Sequence, residues 1–292
     1  MADSFPAARE VFEEADDALG FSLSQLCFEG PADQLLLTEN TQPAILATSI
    51  AALRALQTEG SLQPHFLAGH SLGEYSALVA AEALSLADAV RIVRLRGQYM
   101  QEAVPVGVGA MAAVMGLALV DIERVCAEAS AGEECAPANI NSGSQVVIAG
   151  DTGAIDRAID MLRAAGARRV VKLNVSAPFH CALMMPAQER LAMALAAVEF
   201  QNLRVPLAAN ASAGLIQTGV DARASLIKQV SSPVRWLESI ELLIEKGVTA
   251  FVEVGPGKVL SGLIRQINRE VKCTNVEDST SLAAAGAALA TS

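Results

Sequence analysis

The chain has 292 residues, 52% of them apolar, which is enough to bury a sizeable core in one large domain or in a domain with a smaller insert. Its formal net charge of −11 repels nucleic acid, and neither a basic run nor an aromatic-studded basic stripe offsets it. The acidic start lacks a signal peptide's basic and apolar regions. No uncharged apolar stretch reaches the roughly 18 residues a membrane helix needs, and the five cysteines form no CxxC pair, so reduced thiols in a cytoplasm are expected rather than a disulfide framework or a zinc site.

Taken in chain order, Ser4 is placed to cap a first helix with Pro6 in its first turn and Gly20 past its end. Ala8, Val11, Phe12, Ala15 and Leu19 share one face of it. Residues 41–60 read as a second, mostly apolar helix, and "HFLAG" (65–69) as a short buried strand. "LGEYSALVAAEAL" and residues 85–103 follow as helices. After Pro105 the pattern predicts strand, helix, strand, helix and strand in "GAMAAVMGL", "DIERVCAEAS", "SQVVIAGD", "TGAIDRAIDMLRAAG" and "ARRVVKLNVS". This block suits a ferredoxin-like subdomain over 107–176. It interrupts a large α/β-hydrolase-like domain, residues 1–106 and 177–292, with a mainly parallel sheet. There, "MMPAQERLAMALAAVEF" reads as helix, "VPLAAN" as strand, "SLIKQV…VRWLESIELLIEKG" as helix, "TAFVEVG" as strand and "VLSGLIRQINRE" as helix. The low-complexity tail from Ser279 is expected to fray.

Gly69-His70-Ser71-Leu72-Gly73 stands between the predicted strand and helix. A sharp turn there exposes a serine oxygen above the sheet, and the helix N-terminus aims N–H groups at a developing oxyanion, so Ser71 is the candidate nucleophile rather than a mere cap. It needs a base, and the choice is among His65, His70 and His180. His65 opens the strand at its far end, and His70, next to Ser71 around a tight turn, points away from it. His180, in "APFH" after a predicted strand, remains. No carboxylate stands where a third member would be expected, so a backbone or amide carbonyl is the expected orienting group. Arg96 lies on the apolar face of the 85–103 helix with Ala89, Ile92, Val93, Met100 and Ala103. Either a structural ion pair or a bidentate clamp for a substrate carboxylate accounts for it. "EVGPGKVLSG" (253–262) reads as strand, glycine turn and helix start, either an ordinary strand-to-helix turn or a phosphate seat.

These stretches, with "RGQYMQEAVP", "GAMAAVMGL", "QVVIAGD", "APFHCALM" and "EVGPGKVLSGL", run in order over nearly the whole chain. In this the sequence closely resembles the bacterial malonyl-CoA:acyl carrier protein transacylases of type II fatty-acid synthesis. The resemblance implies that Ser71 takes the malonyl group as an ester, that His180 serves as base and then acid, and that Arg96 pairs with the free malonyl carboxylate. It also implies that the Gln229 backbone carbonyl orients the histidine and that Leu72 gives one oxyanion N–H. No metal or redox cofactor is implied; the partners are malonyl-CoA and acyl carrier protein, with no nucleic acid and no membrane, and a monomer is expected. "APFH" resembles the malonyl-selective rather than the methylmalonyl-selective acyltransferases. The family opens with a strand and a turn close to F-P-G-Q-G-S-Q, and Met1 here falls beyond that point. The expectation is therefore a sheet without that strand and an oxyanion hole without that glutamine's N–H. Two other readings are a serine esterase or thioesterase on the same turn, which Arg96 and the missing acid argue against, and a carrier-binding remnant. Because acyl carrier proteins are acidic like this chain, docking is expected to use a local basic patch drawn from Lys172, Arg168, Arg169, Lys258 and Arg265.

Overall fold

The computed structural model describes residues 1–60 and 63–289 of a mixed α/β chain. Helix α1 (Pro6–Leu19) ends at Gly20, but Phe5 rather than Ser4 is its cap residue, because Ser4 is taken up in a turn that bonds its N–H to the Met1 carbonyl. Two short helices absent from the sequence reading follow, α2 (Leu23–Glu29) and α3 (Ala32–Leu35). Helix α4 (Thr38–Glu59) starts three residues before the predicted position and so carries Pro43 inside it. Then come β1 (Leu67–Ala68), α5 (Gly73–Ala80) and α6 (Leu86–Ala103), the last capped by the Ser85 side chain on the Asp88 N–H.

The next unit is built of β2 (Gly109–Met115), α7 (Leu119–Ser130), β3 (Cys135–Ser142), β4 (Gln145–Asp151), α8 (Thr152–Ala164) and β5 (Arg169–Lys172). It has one strand more than predicted, β3. The four strands pair antiparallel in the order β3-β4-β2-β5. One face of that sheet and the two helices enclose a separate core, including Val114, Ile122, Ile148, Ile155 and Leu162.

After a 3₁₀ turn (Ala182–Met184) come α9 (Met185–Ala196), β6 (Leu207–Ala208), β7 (Leu215–Ile216), α10 (Gly219–Gln229), α11 (Trp236–Glu245), β8 (Ala250–Val254), α12 (Val259–Ile267), β9 (Lys272–Val276) and α13 (Ser279–Leu289). The single helix expected over 225–247 is two, parted at Ser231-Ser232-Pro233, where Pro233 cannot donate to a helical ladder. The tail forms α13, started by Asp278, whose carboxylate accepts from the Ser281 N–H; residues 290–292 of the expected frayed end lie outside the described residues.

One mainly parallel sheet was expected in the larger part. Among the described residues there are instead two small sheets, β1-β6-β7 and β8-β9. β1 and β6 are parallel, as are β8 and β9, whereas β6 and β7 are antiparallel. Pro206, which has no N–H, and the turn at Gly69 hold β1 and β6 to two residues each.

Helices α1, α4, α5, α6 and α9 bury their apolar faces in one large core. Gly97 lets α6 press against α4, since a Cβ there would lie 2.6 Å from the Glu39 Cα. That approach brings Gln42 of α4 beside Arg96 of α6. Gly97→Ala is expected to force the helices apart and to cost about 1–3 kcal/mol, as overpacking does. Thermal melting checks it; an unchanged midpoint would mean that the start of α4 yields freely.

Candidate active site

β1 ends at Ala68 and the chain turns sharply through Gly69-His70-Ser71-Leu72 into α5. Ser71 has φ +52°, a left-handed conformation that costs a non-glycine residue on the order of 1 kcal/mol or more. The two glycines of the motif are not equivalent. A Cβ on Gly69 would sit 1.9 Å from the Gly73 carbonyl oxygen, whereas one on Gly73 would meet nothing within 4 Å. Asn210, just past β6, pins the turn: its Oδ1 accepts from the Ser71 N–H at 2.7 Å and its Nδ2 donates to the Gly69 carbonyl at 2.7 Å. Parallel pairing of β1 with β6 puts Asn210 there. The N–H of Leu72 follows Ser71 at the start of α5.

His180 lies beyond β5, itself at φ +62°. Its Nε2 is 2.7 Å from Ser71 Oγ and its Nδ1 is 2.9 Å from the Gln229 carbonyl at the end of α10. A carbonyl only accepts, so Nδ1 carries the proton and Nε2 is left to accept from the serine hydroxyl. Burial, and then the nearby Arg96 charge, push His180 down to about 3, which keeps the imidazole neutral. His70 turns away: its Nε2 meets Asn141 Oδ1 at 2.8 Å and its ring packs 5.6 Å from that of Trp236. His65 is exposed before β1.

Arg96 is only 3% exposed. It donates to Gln42 Oε1 at 2.6 Å, to Gln229 Oε1 at 3.0 Å and to Ser71 Oγ at 3.0 Å, with the Tyr75 ring 5.6 Å from its guanidinium carbon. Among the described residues no carboxylate forms an ion pair with it, so the structural-salt-bridge explanation fails. A buried, always-charged group held only by neutral partners, one of them the candidate nucleophile, is disposed to receive an anion.

Sequence reasoning missed Gln42, Asn210 and Glu74. Glu74, fully buried on α5, accepts from Ser225 Oγ at 2.7 Å, the Gln229 Nε2 at 2.8 Å and the Asn210 N–H at 3.1 Å. Burial raises its pKa; these donors and Arg96 oppose that. A charged residue among Tyr75, Ala77 and Leu78 was the available signal.

The "EVGPGK" turn holds no free anion seat. The first N–H groups of α12 are taken by Glu253, from Leu260 at 2.9 Å and Ser261 at 2.7 Å, and Lys258 pairs with Glu277 at 3.2 Å. Of the other basic candidates, Lys172 pairs with Asp156. Arg168, Arg169 and Arg265 are exposed without a carboxylate partner among the described residues. No group of three or more metal-ligating side chains and no helix long and apolar enough to cross a membrane occurs among the described residues. All five cysteines are free thiols.

Comparison with known proteins points the same way. The acyl transferase domain family matches residues 1–287. The malonyl CoA-acyl carrier protein transacylase of Escherichia coli (strain K12) is 46% identical over 285 residues, covering 98% of this chain and 92% of that protein. A solved acyl carrier protein S-malonyltransferase from Vibrio cholerae superposes with a TM-score of 0.95 at 45% identity, over 97% of this chain and 93% of the other. A malonyl-transacylase solved in complex with a type II PKS acyl-carrier protein gives 0.96 at 44% identity, over 98% and 93%.

Proposed function

The chain belongs to the acyl transferase domain family, and we propose that it moves a malonyl group from malonyl-CoA to the phosphopantetheine thiol of acyl carrier protein, by way of an ester on Ser71, in fatty-acid synthesis. The observation that carries this reading is the buried Arg96 guanidinium, without a direct ion-pair partner among the described residues, 3.0 Å from Ser71 Oγ.

The steps follow from the hydrogen bonds. His180 Nε2 takes the Ser71 proton as Oγ attacks the thioester carbonyl, and Nδ1–H stays on the Gln229 carbonyl, which holds the tautomer and supports the imidazolium. The Leu72 N–H at the α5 N-terminus faces the oxyanion that develops. The C–S bond breaks, and the CoA sulfur leaves with the proton returned by His180. The carrier thiol then gives its proton to Nε2 and attacks the Ser71 ester; Ser71 recovers its proton as the ester bond breaks. Arg96 trades its bond to Ser71 Oγ for the acyl carboxylate, which places the thioester carbonyl over the serine. These steps use side chains and backbone alone.

We read residues 1–106 and 177–292 as an α/β-hydrolase-like domain and 107–176 as a ferredoxin-like subdomain; the β-α-β-β-α-β succession and the order β3-β4-β2-β5 support the latter. The five free thiols fit a reducing cytoplasm.

The decisive assay is malonyl transfer to an acyl carrier protein thiol against release to water. Thiol transfer supports the reading; hydrolysis alone would make the chain an esterase. With Lys172 and Lys258 already paired, the carrier's acidic surface is left to Arg168, Arg169 and Arg265. Carrier transfer is expected to slow as salt rises, while acylation by malonyl-CoA responds less. Charge reversal at the three arginines is expected to raise the carrier's KM; an unchanged KM would place docking elsewhere.

A further inference from the structure

Among the described residues Glu74 is the one buried carboxylate in the site, and the steps above give it no part. Arg96 and Glu74 do not touch. Between them lies the side-chain amide of Gln229, whose Oε1 accepts from Arg96 at 3.0 Å and whose Nε2 donates to Glu74 Oε2 at 2.8 Å. The amide dipole is thus aligned from cation to anion. Its Nε2 also donates to the Ser71 carbonyl at 2.9 Å, so the same amide braces the serine turn.

We propose that Glu74 is the resident counter-charge of Arg96, relayed through the Gln229 amide, and that it sets how tightly the site holds an acyl group bearing a free carboxylate. Glu74 is fully buried and Arg96 is 3% exposed. Two such charges are tolerated in a dry interior only when each is hydrogen-bonded and balanced. An arriving acyl carboxylate shares the guanidinium with Glu74. The resident charge therefore weakens the hold on the acyl anion and keeps the empty site from carrying a bare cation. Glu74 is a positioning and specificity-setting residue, since it acts on substrate only through Gln229 and Arg96. The inference rests on the malonyl reading for its substrate, but not for the relay itself.

Charge can be separated from shape at this position. In Glu74→Gln the amide oxygen can accept from the Asn210 and Gln229 N–H groups as Oε2 does, and the amide NH₂ can donate to the Ser225 hydroxyl. The charge is lost while the other contacts keep their partners, except that the Ser225 hydroxyl turns from donor to acceptor.

The experiment is single-turnover acylation of Ser71, followed by intact mass, against malonyl-CoA and acetyl-CoA concentration. In Glu74→Gln the half-saturating malonyl-CoA concentration is expected to fall about tenfold, the scale of a charge one amide group away at an effective protein dielectric, while that of acetyl-CoA stays put. Glu74→Asp, which keeps the charge, is expected to retain the wild-type half-saturation for malonyl-CoA even if its maximal rate drops. An equal change for both acyl groups, or Asp behaving as Gln does, overturns the proposal.

Thermal melting of the unliganded proteins forms the second arm. Glu74→Gln is expected to lower the midpoint with Arg96 present and to leave it unchanged or raised in Arg96→Ala, where no buried cation needs balancing. Should Glu74→Gln fail to fold alone, recovery in the Arg96→Ala background supports the relay and failure in both overturns it. If the wild-type protein is not acylated by malonyl-CoA, the malonyl reading falls, and the melting cycle still decides the relay.

Discussion

Ser71→Ala is expected to abolish the malonyl adduct on the protein and to cut transfer by several orders of magnitude. Alanine removes the oxygen that lies 2.7 Å from His180 Nε2 and leaves the imidazole nothing to deprotonate. His180→Ala is expected to cost nearly as much, and the double variant little more, because the two groups act as one unit in a single proton transfer. A persistent malonyl mass on Ser71→Ala would remove the serine from its role. The same dyad gives a pH profile with an unusual low side. Burial and Arg96 push His180 from an ordinary 6.5 down to about 3, so the base stays unprotonated as pH falls through 6.5. The kcat/KM for acylation, which reports the free enzyme, is therefore expected to stay level through that region. Once the acyl carboxylate sits on Arg96, part of the depression is lifted, and the acid limb of kcat is expected at higher pH than that of kcat/KM. A kcat/KM limb at 6.5 would mean that His180 is not held as described. The sign for stability is opposite to that of a salt-bridged histidine. The folded value lies below the unfolded one, so the unfolded chain takes a proton that the folded one refuses, and this stability, full above 6.5, is lost as pH falls toward 3. Buried His70, also lowered by burial, adds in the same direction.

The parts of this site that are local in sequence were legible, and those built across the fold were not. The helix Leu86–Ala103 announces itself through the Ser85 cap and its 3.6-residue period, and that period alone places Arg96 on the buried face. Ser71 follows from a strand, a glycine turn and a helix, and His180 from there being three histidines to choose among. Strand β3 was missed because Pro137, Asn139, Asn141 and Ser142 give it the composition of a loop. It nonetheless pairs with β4 along one edge, with an irregular register at Pro137, and exchanges backbone bonds with Val234 along the other. Its asparagines have partners of their own, such as His70, which no local pattern reveals. Glu74 lies 155 positions from Gln229 and Asn210 lies 139 from Ser71; only the parallel pairing of β1 with β6 and the packing of α10 against α5 bring them together. Glycine carried mixed information: the first glycine of the serine motif is fixed by sterics, and the second is free of them.

Arg96→Ala is expected to change which acyl group the protein prefers. The guanidinium has two roles, and they separate by substrate. It donates to Ser71 Oγ at 3.0 Å, a bond whose loss affects every acyl donor alike. It also offers a buried cation that no carboxylate contacts directly among the described residues, which matters only to a donor with a free carboxylate. Removing one partner of a buried, charge-assisted pair costs roughly 2–5 kcal/mol, so malonyl-CoA turnover is expected to fall by on the order of 10²-fold or more beyond any loss common to both donors. Acetyl-CoA is expected to lose little, and the malonyl-to-acetyl ratio of kcat/KM is the measurement that isolates the carboxylate. Arg96→Lys is not expected to restore that ratio. An ammonium is a point charge, unable to hold both Gln42 and Gln229 while presenting two parallel N–H groups to a carboxylate. Both variants leave the Gln42 and Gln229 side-chain oxygens with a changed partner, so some loss of thermal stability is expected, and the acetyl-CoA rate serves as the internal control for it. Equal losses for malonyl-CoA and acetyl-CoA would make Arg96 a structural residue and would take the malonyl specificity away from it.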